Sequence, residues 1–227
     1  MTTPYLPLEG VLFDLDGTLL DTSQDMAAAL NTLLKEHGRD ELAYTQIRSQ
    51  VSHGARGLLQ IGFGIGPNDE QFVSLRDRFL DIYEADLHRH TDLFPGLADV
   101  LDWCESQELR WGIVTNKPGY LTQAVVKHLN LWERTACVVA GDCLPRRKPH
   151  PDTLLLGAEQ AQLNPKACCY IGDAERDIQA GKNAGMRTIC ALWGFIGEDE
   201  DATQWQADVN LASPNQLQAV LESWRHG

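Results

Sequence analysis

Short apolar runs recur along the chain between polar and glycine-containing segments. Continuous runs, in which polar and apolar residues do not alternate, are typical of parallel strands that are buried on both faces. The runs predict strands at residues 10–13, 111–114, 137–140, 169–171 and 188–192.

Between the later runs, apolar residues recur at spacings of three and four, which is the period of one helix face. This spacing predicts helices at residues 97–104, 121–129, 154–163 and 178–184. Gly185 follows the last of them, where a glycine commonly ends a helix. Strands that alternate with helices predict an α/β fold with a doubly wound, Rossmann-like parallel sheet.

The segment at residues 22–90 departs from this alternation. Apolar residues at 26–34 and 72–83 have helical spacing, and no strand pattern occurs between them. We therefore predict a small all-helical cap domain at 22–90, inserted after the first strand. The catalytic core would then consist of residues 1–21 and 91–227.

Composition limits the functional classes. Hydrophobic residues make up 43% of the 227 residues, which is enough for a buried core. A net charge of −13 disfavours binding to nucleic acid or to anionic membranes, and we expect neither as a partner. The six cysteines form no C-x-x-C pair, and no secretory or membrane-spanning pattern is present. Free thiols and a cytoplasmic location are therefore expected.

The sequence DLDGT at residues 14–18 directly follows the first predicted strand. Alternation along the chain puts Asp14 and Asp16 on one side, at the carboxyl end of the strand, where open α/β sheets bind ligands. Gly17 permits a close turn. A calcium loop is excluded because the positions of its third oxygen ligand and its glycine are occupied by threonine and leucine. A solvated turn remains an alternative.

Three further segments carry candidate functional residues. Thr115 and Asn116 follow a predicted strand, Lys148 precedes a predicted helix, and Asp173 and Asp177 are four residues apart at a helix start. Each has an ordinary alternative explanation. Threonine and asparagine commonly cap helices, a lysine in a turn is commonly solvated, and acids are common in a first helical turn.

The joint occurrence of these segments favours a common site. They place a carboxylate pair, a hydroxyl group, a lysine and a second carboxylate pair at one edge of the predicted sheet. Clustered carboxylates repel one another unless a cation neutralises them. The hydroxyl group of Thr115 and the ammonium group of Lys148 could hold phosphate oxygens. Because Mg²⁺ prefers hard oxygen ligands and commonly binds phosphates, we predict a magnesium site.

The order of the four segments resembles the haloacid dehalogenase superfamily of phosphatases. The resemblance consists of D-x-D-G-T at 14–18, T-N at 115–116, K-P at 148–149 and G-D-x-x-x-D at 172–177. The helical insert and the F-P-G sequence at 94–96 are similar to the phosphoglycolate phosphatase-like branch.

The resemblance implies a role for each acid. Asp14 would attack phosphorus and form an aspartyl-phosphate, and Asp16 would protonate the leaving oxygen and then activate water. Asp14 and Asp173 would bind Mg²⁺ through their side chains and Asp16 through its backbone carbonyl. Asp177 would act through water or hydrogen bonds.

The resemblance also implies the phosphate contacts. Thr115 and Lys148 would bind the phosphoryl group, assisted by backbone N–H groups near Asn116 and Gly17. The substrate would be a small phosphate monoester, either phosphoglycolate-like or a sugar phosphate.

Substrate choice is expected to depend on the cap segment at residues 52–56. His53 and Arg56 are the candidate substrate-binding residues there, and Arg56 either pairs with a substrate carboxylate or is a solvated helix residue. Ser52 stands where the branch often has glycine. The sequence WQAD at 205–208 is similar to relatives that act on N-acetylmuramic acid 6-phosphate.

Two other functions remain open. A sugar phosphomutase of the same superfamily would keep both Asp14 and Asp16, and a non-catalytic phospho-acceptor module would also gather acids and a lysine. Asp16 disfavours a dehalogenase, which needs no leaving-group acid. The glycine-rich stretch at 62–66 is not a dinucleotide fingerprint, because Pro67 replaces the third glycine and the context is helical.

Overall fold

The apolar runs form strands in the computed structural model, which describes residues 5–226. In this part of the chain the strands are β1 (Gly10–Phe13), β2 (Leu20–Asp21), β3 (Asp92–Leu93), β4 (Arg110–Val114), β5 (Val138–Val139), β6 (Cys168–Gly172), β7 (Arg187–Ala191) and β8 (Val209–Leu211). Six of them form one parallel sheet in the order β5-β4-β1-β6-β7-β8. The other two, β2 and β3, pair as a short antiparallel ribbon.

Helices lie between most of these strands and after the last one in residues 5–226. They are α1 (Ser23–Glu36), α2 (Tyr44–Arg48), α3 (Gly54–Phe63), α4 (Phe72–Ala85), α5 (Leu97–Ser106), α6 (Gly119–His128), α7 (Asp152–Gln160), α8 (Glu175–Ala184) and α9 (Leu217–Arg225). Within residues 5–226, no helix combines the length and the apolar composition needed to cross a bilayer.

Strand β1 lies at the centre of the sheet because all four of its residues are apolar or glycine and buried. Val11 pairs with Trp111 of β4 on one side and with Cys169 of β6 on the other. The carboxyl ends of β4, β1 and β6 therefore lie side by side. The predicted α/β fold with a parallel sheet is confirmed.

Helices α1 to α4 lie in sequence between β2 and β3. Their apolar faces contribute residues such as Leu30 and Phe79 to the same hydrophobic cluster that contains Val11 and Phe13 of the sheet. The helical segment thus packs continuously onto the sheet. Its predicted status as a separate cap domain with boundaries at residues 22 and 90 stays a prediction.

The observed strands differ from the predicted ones in the short elements. The run at 137–140 forms only the two-residue strand β5, and neither the β2–β3 ribbon nor β8 was among the predicted runs. Such short strands carry no periodic signal. Five of the six cysteines are buried, Cys143 is exposed, and all six are free.

Candidate active site

Three of the predicted site residues follow neighbouring strands of the sheet. Asp14 follows β1, Thr115 follows β4 and Asp173 follows β6. Because β1 pairs with both of the other strands, these three residues lie at one edge of the sheet. Asp177 reaches the same edge from the first turn of α8.

Three carboxylates form a buried acid cluster at this edge. One oxygen from each of Asp14, Asp173 and Asp177 lies within 4.8 Å of the others. Lys148 joins the cluster, with its Nζ 2.8 Å from Oδ1 of Asp14 and 2.8 Å from Oδ1 of Asp177. Asp14, Lys148 and the pair Asp173 and Asp177 come from three distant parts of the sequence and meet at one point.

The charges of the acid cluster are only partly balanced. Burial, together with the negative charges of Asp177 and Asp14, raises the pKa of Asp173 to about 7. Burial also raises the pKa of Asp177, against the opposing effect of Lys148. Burial disfavours the charge of Lys148 itself, but Asp14 and Asp177 outweigh this effect and raise its pKa. Lys148 is thus a fixed positive charge beside an excess of carboxylates.

This arrangement fits a hard divalent cation. The three carboxylates offer oxygen ligands within one small volume. Oδ1 of Asp177 makes no well-aligned hydrogen bond within the described chain, although Lys148 lies close to it. Three buried carboxylates balanced by a single neighbouring lysine form an environment in which a bound cation lowers the electrostatic cost.

The side chain of Asp16 lies outside the acid cluster. Its Oδ1 accepts hydrogen bonds from Oγ1 of Thr22 at 2.7 Å and from Nζ of Lys117 at 2.9 Å. The predicted contribution of its backbone carbonyl to a metal site stays a prediction. The carboxylate itself is free of the cluster and has partners of its own.

Thr115 and Asn116 make local contacts in the structure. Oγ1 of Thr115 accepts a hydrogen bond from the backbone N–H of Lys117 at 3.1 Å. Nδ2 of Asn116 donates to the backbone carbonyl of Lys148 at 3.1 Å and so connects two of the predicted motifs. The Asn116 side chain is therefore occupied in holding the loop that carries Lys148.

Gly17 adopts a φ of 84°, in the left-handed region that favours glycine. It turns the backbone directly after Asp16, so that Thr18 comes back towards the acid cluster and its Oγ1 lies 3.4 Å from Oδ1 of Asp173. The predicted turn at this position is present.

The candidate cap residues differ in how they approach the acid cluster. Oγ of Ser52 donates to Oδ2 of Asp173 at 2.6 Å. His53 is half-exposed, with its Nε2 3.9 Å from Oε1 of Glu200, and burial lowers its pKa in spite of that carboxylate. Arg56 is exposed and makes no hydrogen bond or ion pair within residues 5–226.

Two basic residues at the site were missed by the sequence prediction. Arg176 donates to the backbone carbonyl of Ser52 and so joins α8 to the helical segment. Lys117 pairs with Asp16. Arg176 stands inside the G-D-x-x-x-D motif and Lys117 directly follows the T-N motif, but the motifs do not indicate which neighbouring side chain turns inward.

Comparisons with known proteins show the family of the chain. The sequence model of the haloacid dehalogenase-like hydrolase family matches residues 11–191. A phosphoglycolate phosphatase of Xanthomonas campestris pv. campestris is 43% identical over 207 residues, covering 91% of this chain and 93% of the relative. An N-acetylmuramic acid 6-phosphate phosphatase of Pseudomonas putida is 37% identical over 216 residues, covering 95% of this chain and 97% of the relative.

The fold is similar to solved structures as well. A predicted phosphoglycolate phosphatase from Haemophilus somnus superposes with a TM-score of 0.82 over 94% of this chain and 97% of its own, at 23% identity. At that identity the likeness shows the fold alone. The family match and the relatives that cover the chain almost end to end confirm the predicted family and the predicted enzyme class, a phosphoric monoester hydrolase. The chain belongs to the haloacid dehalogenase-like hydrolase family.

Proposed function

We propose that this protein is a Mg²⁺-dependent phosphatase that hydrolyses a small phosphate monoester through a phosphorylated Asp14. The observation that carries the proposal is the buried cluster of Asp14, Asp173, Asp177 and Lys148. Asp14 and Asp173 are the proposed side-chain ligands of the cation, with Asp16 contributing its backbone carbonyl and Asp177 contributing through water or hydrogen bonds. When bound, Mg²⁺ supplies positive charge that offsets the carboxylates and the phosphoryl oxygens.

Asp14 is the proposed nucleophile. Its Oδ1 accepts a hydrogen bond from the backbone N–H of Leu15 at 2.8 Å and lies 2.8 Å from Nζ of Lys148. Oδ2 is then the oxygen that attacks phosphorus, and the bond between phosphorus and the ester oxygen breaks. Lys148 holds the carboxylate and neutralises phosphoryl charge, and Thr115 donates its hydroxyl hydrogen bond to a phosphoryl oxygen.

Asp16 is the proposed acid and base. It gives its proton to the ester oxygen as that oxygen leaves phosphorus. In the second step it takes a proton from water as the water oxygen attacks phosphorus, and the bond from phosphorus to Asp14 breaks. Free phosphate and the regenerated Asp14 carboxylate are the products.

The proposed substrate class follows from the relatives, which are named for phosphoglycolate and for N-acetylmuramic acid 6-phosphate. Both esters carry a carboxylate besides the phosphate. Arg56, exposed at the beginning of α3, and His53 are the proposed contacts to the part of the substrate beyond the phosphate. A cytoplasmic location stays a prediction.

Phosphate release tests the proposal. Wild-type protein with Mg²⁺ is assayed against a panel that contains phosphoglycolate, N-acetylmuramic acid 6-phosphate and hexose phosphates. Asp14→Asn is expected to lower the rate at least about 100-fold, because the amide is a poor nucleophile, while the thermal melt stays cooperative.

The matched control is Asp99→Asn, which neutralises an exposed aspartate in the first turn of α5 and should keep full activity. Chelation of Mg²⁺ should stop turnover, and Ca²⁺ should replace it poorly because the two ions prefer different coordination geometries. Retention of more than a few per cent of the rate by Asp14→Asn, or full activity in chelator, would contradict the proposal.

A further inference from the structure

A second polar cluster lies beside the acid cluster and contains Asp16, Thr22, Tyr83 and Lys117. Nζ of Lys117 is 2.9 Å from Oδ1 of Asp16 and 3.0 Å from the hydroxyl oxygen of Tyr83. The Lys117 side chain is only 4% exposed, so both contacts are shielded from water. This cluster contains no residue of the acid cluster.

The members of this second cluster come from separate parts of the fold. Lys117 lies in the loop between β4 and α6, Thr22 directly precedes α1, and Tyr83 belongs to the last turn of α4. The backbone of Lys117 is fixed to the sheet edge, because its N–H donates to Oγ1 of Thr115 and its carbonyl accepts from the N–H of Gly141 at 2.9 Å. Its ammonium group therefore joins the sheet to the helical segment.

The charges explain why a lysine is stable there. Burial disfavours the charged form, but the neighbouring Asp16 and Tyr83 outweigh it and raise the pKa of Lys117. Burial raises the pKa of Tyr83 to about 12, so its hydroxyl stays neutral and accepts the hydrogen bond from Lys117. A buried ion pair often stabilises the fold less than apolar residues of similar size would. The presence of a lysine here therefore indicates a role for its charge beyond stability. The group that it contacts is the carboxylate of Asp16.

We propose that Lys117 and Tyr83 are positioning residues that orient the Asp16 carboxylate for proton transfer, an inference that rests on the proposed phosphatase function. The hydrogen bonds of Lys117 and Thr22 converge on Oδ1 of Asp16, which leaves Oδ2 to carry the proton to the ester oxygen. Tyr83, which belongs to the helical segment, accepts a hydrogen bond from the ammonium group of Lys117 and so fixes its position. The position of α4 therefore influences the orientation of Asp16 through the contact between Tyr83 and Lys117.

Leaving-group dependence tests this role. An alkyl phosphate releases a basic alkoxide that needs a proton from Asp16, whereas p-nitrophenyl phosphate releases a stable phenolate that needs little protonation. The quantity kcat/KM covers the steps up to departure of the leaving group. It is measured for p-nitrophenyl phosphate and for the best alkyl ester of the panel.

Lys117→Met should lower kcat/KM about 100-fold for the alkyl ester, since general acid catalysis contributes at least that much. The loss on p-nitrophenyl phosphate should be only about two- to five-fold, because the same acid contributes little there. Tyr83→Phe keeps the ring and removes one hydrogen bond, so a smaller selective loss of about five-fold is expected on the alkyl ester.

The matched control is Tyr5→Phe. The Tyr5 hydroxyl donates to the backbone carbonyl of Met186, which directly precedes β7 and so lies at the amino end of the strands, opposite the site. This variant should leave both esters unaffected. Thermal melts check that each variant folds, and Tyr83→Phe still tests the role if Lys117→Met does not fold.

The outcomes separate the two proposals. Equal losses on both esters in Tyr83→Phe and Lys117→Met mean a packing role only and overturn the positioning role, while the proposed function stands. If the wild-type protein hydrolyses neither ester, the result contradicts the proposed function and therefore also this inference. Selective loss on the alkyl ester supports both.

Discussion

Gly17 is the residue whose backbone conformation most directly constrains the geometry of the candidate active site. A Cβ atom at this position would lie 2.1 Å from Oδ2 of Asp173 and 2.8 Å from the ring of Phe195. Its φ of 84° adds strain for any other residue. The glycine therefore permits the close approach of the β1 loop to the acid cluster.

Gly17→Ala is expected to lower phosphate release about 100-fold, because Asp173 must move by a distance that catalytic geometry does not tolerate. The free energy of unfolding, measured by urea denaturation, should fall by more than about 2 kcal/mol. Gly38→Ala is the matched control, since Gly38 also has a positive φ of 66° but nothing lies within 4 Å of its Cβ position. It should cost about 1 kcal/mol and leave activity unchanged. Similar losses of activity and stability in Gly17→Ala and Gly38→Ala would show that backbone strain alone causes the effect.

Among the secondary-structure elements, α1 is tied to the end of the helical segment by Asp25. Both carboxylate oxygens of this buried residue accept from the backbone N–H of His90 at 3.0 Å. Oδ2 also accepts from the N–H of Thr91 at 2.9 Å and from its hydroxyl at 2.7 Å. One side chain thus holds together the two points at which the chain enters and leaves the helical segment.

Asp25→Ala is expected to lower the free energy of unfolding by about 3 kcal/mol, because buried N–H groups lose their acceptor. Asp92→Ala removes an exposed carboxylate that accepts one hydrogen bond from the N–H of Leu93, and it should cost less than about 0.5 kcal/mol. Urea denaturation of the two variants gives the comparison. Equal stabilities would show that the ends of the helical segment are held by apolar packing instead.

For the whole molecule, the acid cluster adds to a chain that already carries a net charge of −13. The unbalanced acids are concentrated at the sheet edge, where burial and the carboxylates of Asp177 and Asp14 raise the pKa of Asp173 from 3.8 to about 7. The folded chain therefore binds a proton at Asp173 more tightly than the unfolded chain does. In the absence of metal, this group makes folding less favourable as the pH rises from about 4 to about 7.

Mg²⁺ should offset this loss by taking the place of the proton. The increase in Tm caused by Mg²⁺ is expected to be larger at about pH 8 than at about pH 6, because protons compete with the metal at the lower pH. At an Mg²⁺ concentration 100 times its Kd, the stabilisation would be about 2.7 kcal/mol. Asp173→Asn should remove most of the increase at both pH values. An increase that is independent of pH would contradict the assigned role of Asp173.

The amino-acid sequence alone determined the parallel sheet and the four motifs. The central strands are buried on both faces, so they are continuous apolar runs, and each motif is recognisable because it follows or flanks such a run. Asp14, Thr115, Lys148 and Asp173 were therefore expected to meet, and they lie at one edge of the sheet. The two-residue strands β2, β3 and β5 are too short for a periodic signal, which is why their presence or extent was not predicted correctly.

Only the tertiary structure decided which other side chains complete the site. Lys117 contacts Asp16 across 101 positions and Ser52 contacts Asp173 across 121 positions, and Arg176 reaches the backbone of Ser52. The contacts of Ser52 depend on how the helical segment packs against the sheet, and the contact of Lys117 depends on the rotamer that its surroundings allow. Local periodicity and motif order place residues at the ends of sheet strands, but they do not show which side chains of the helical segment contact that edge.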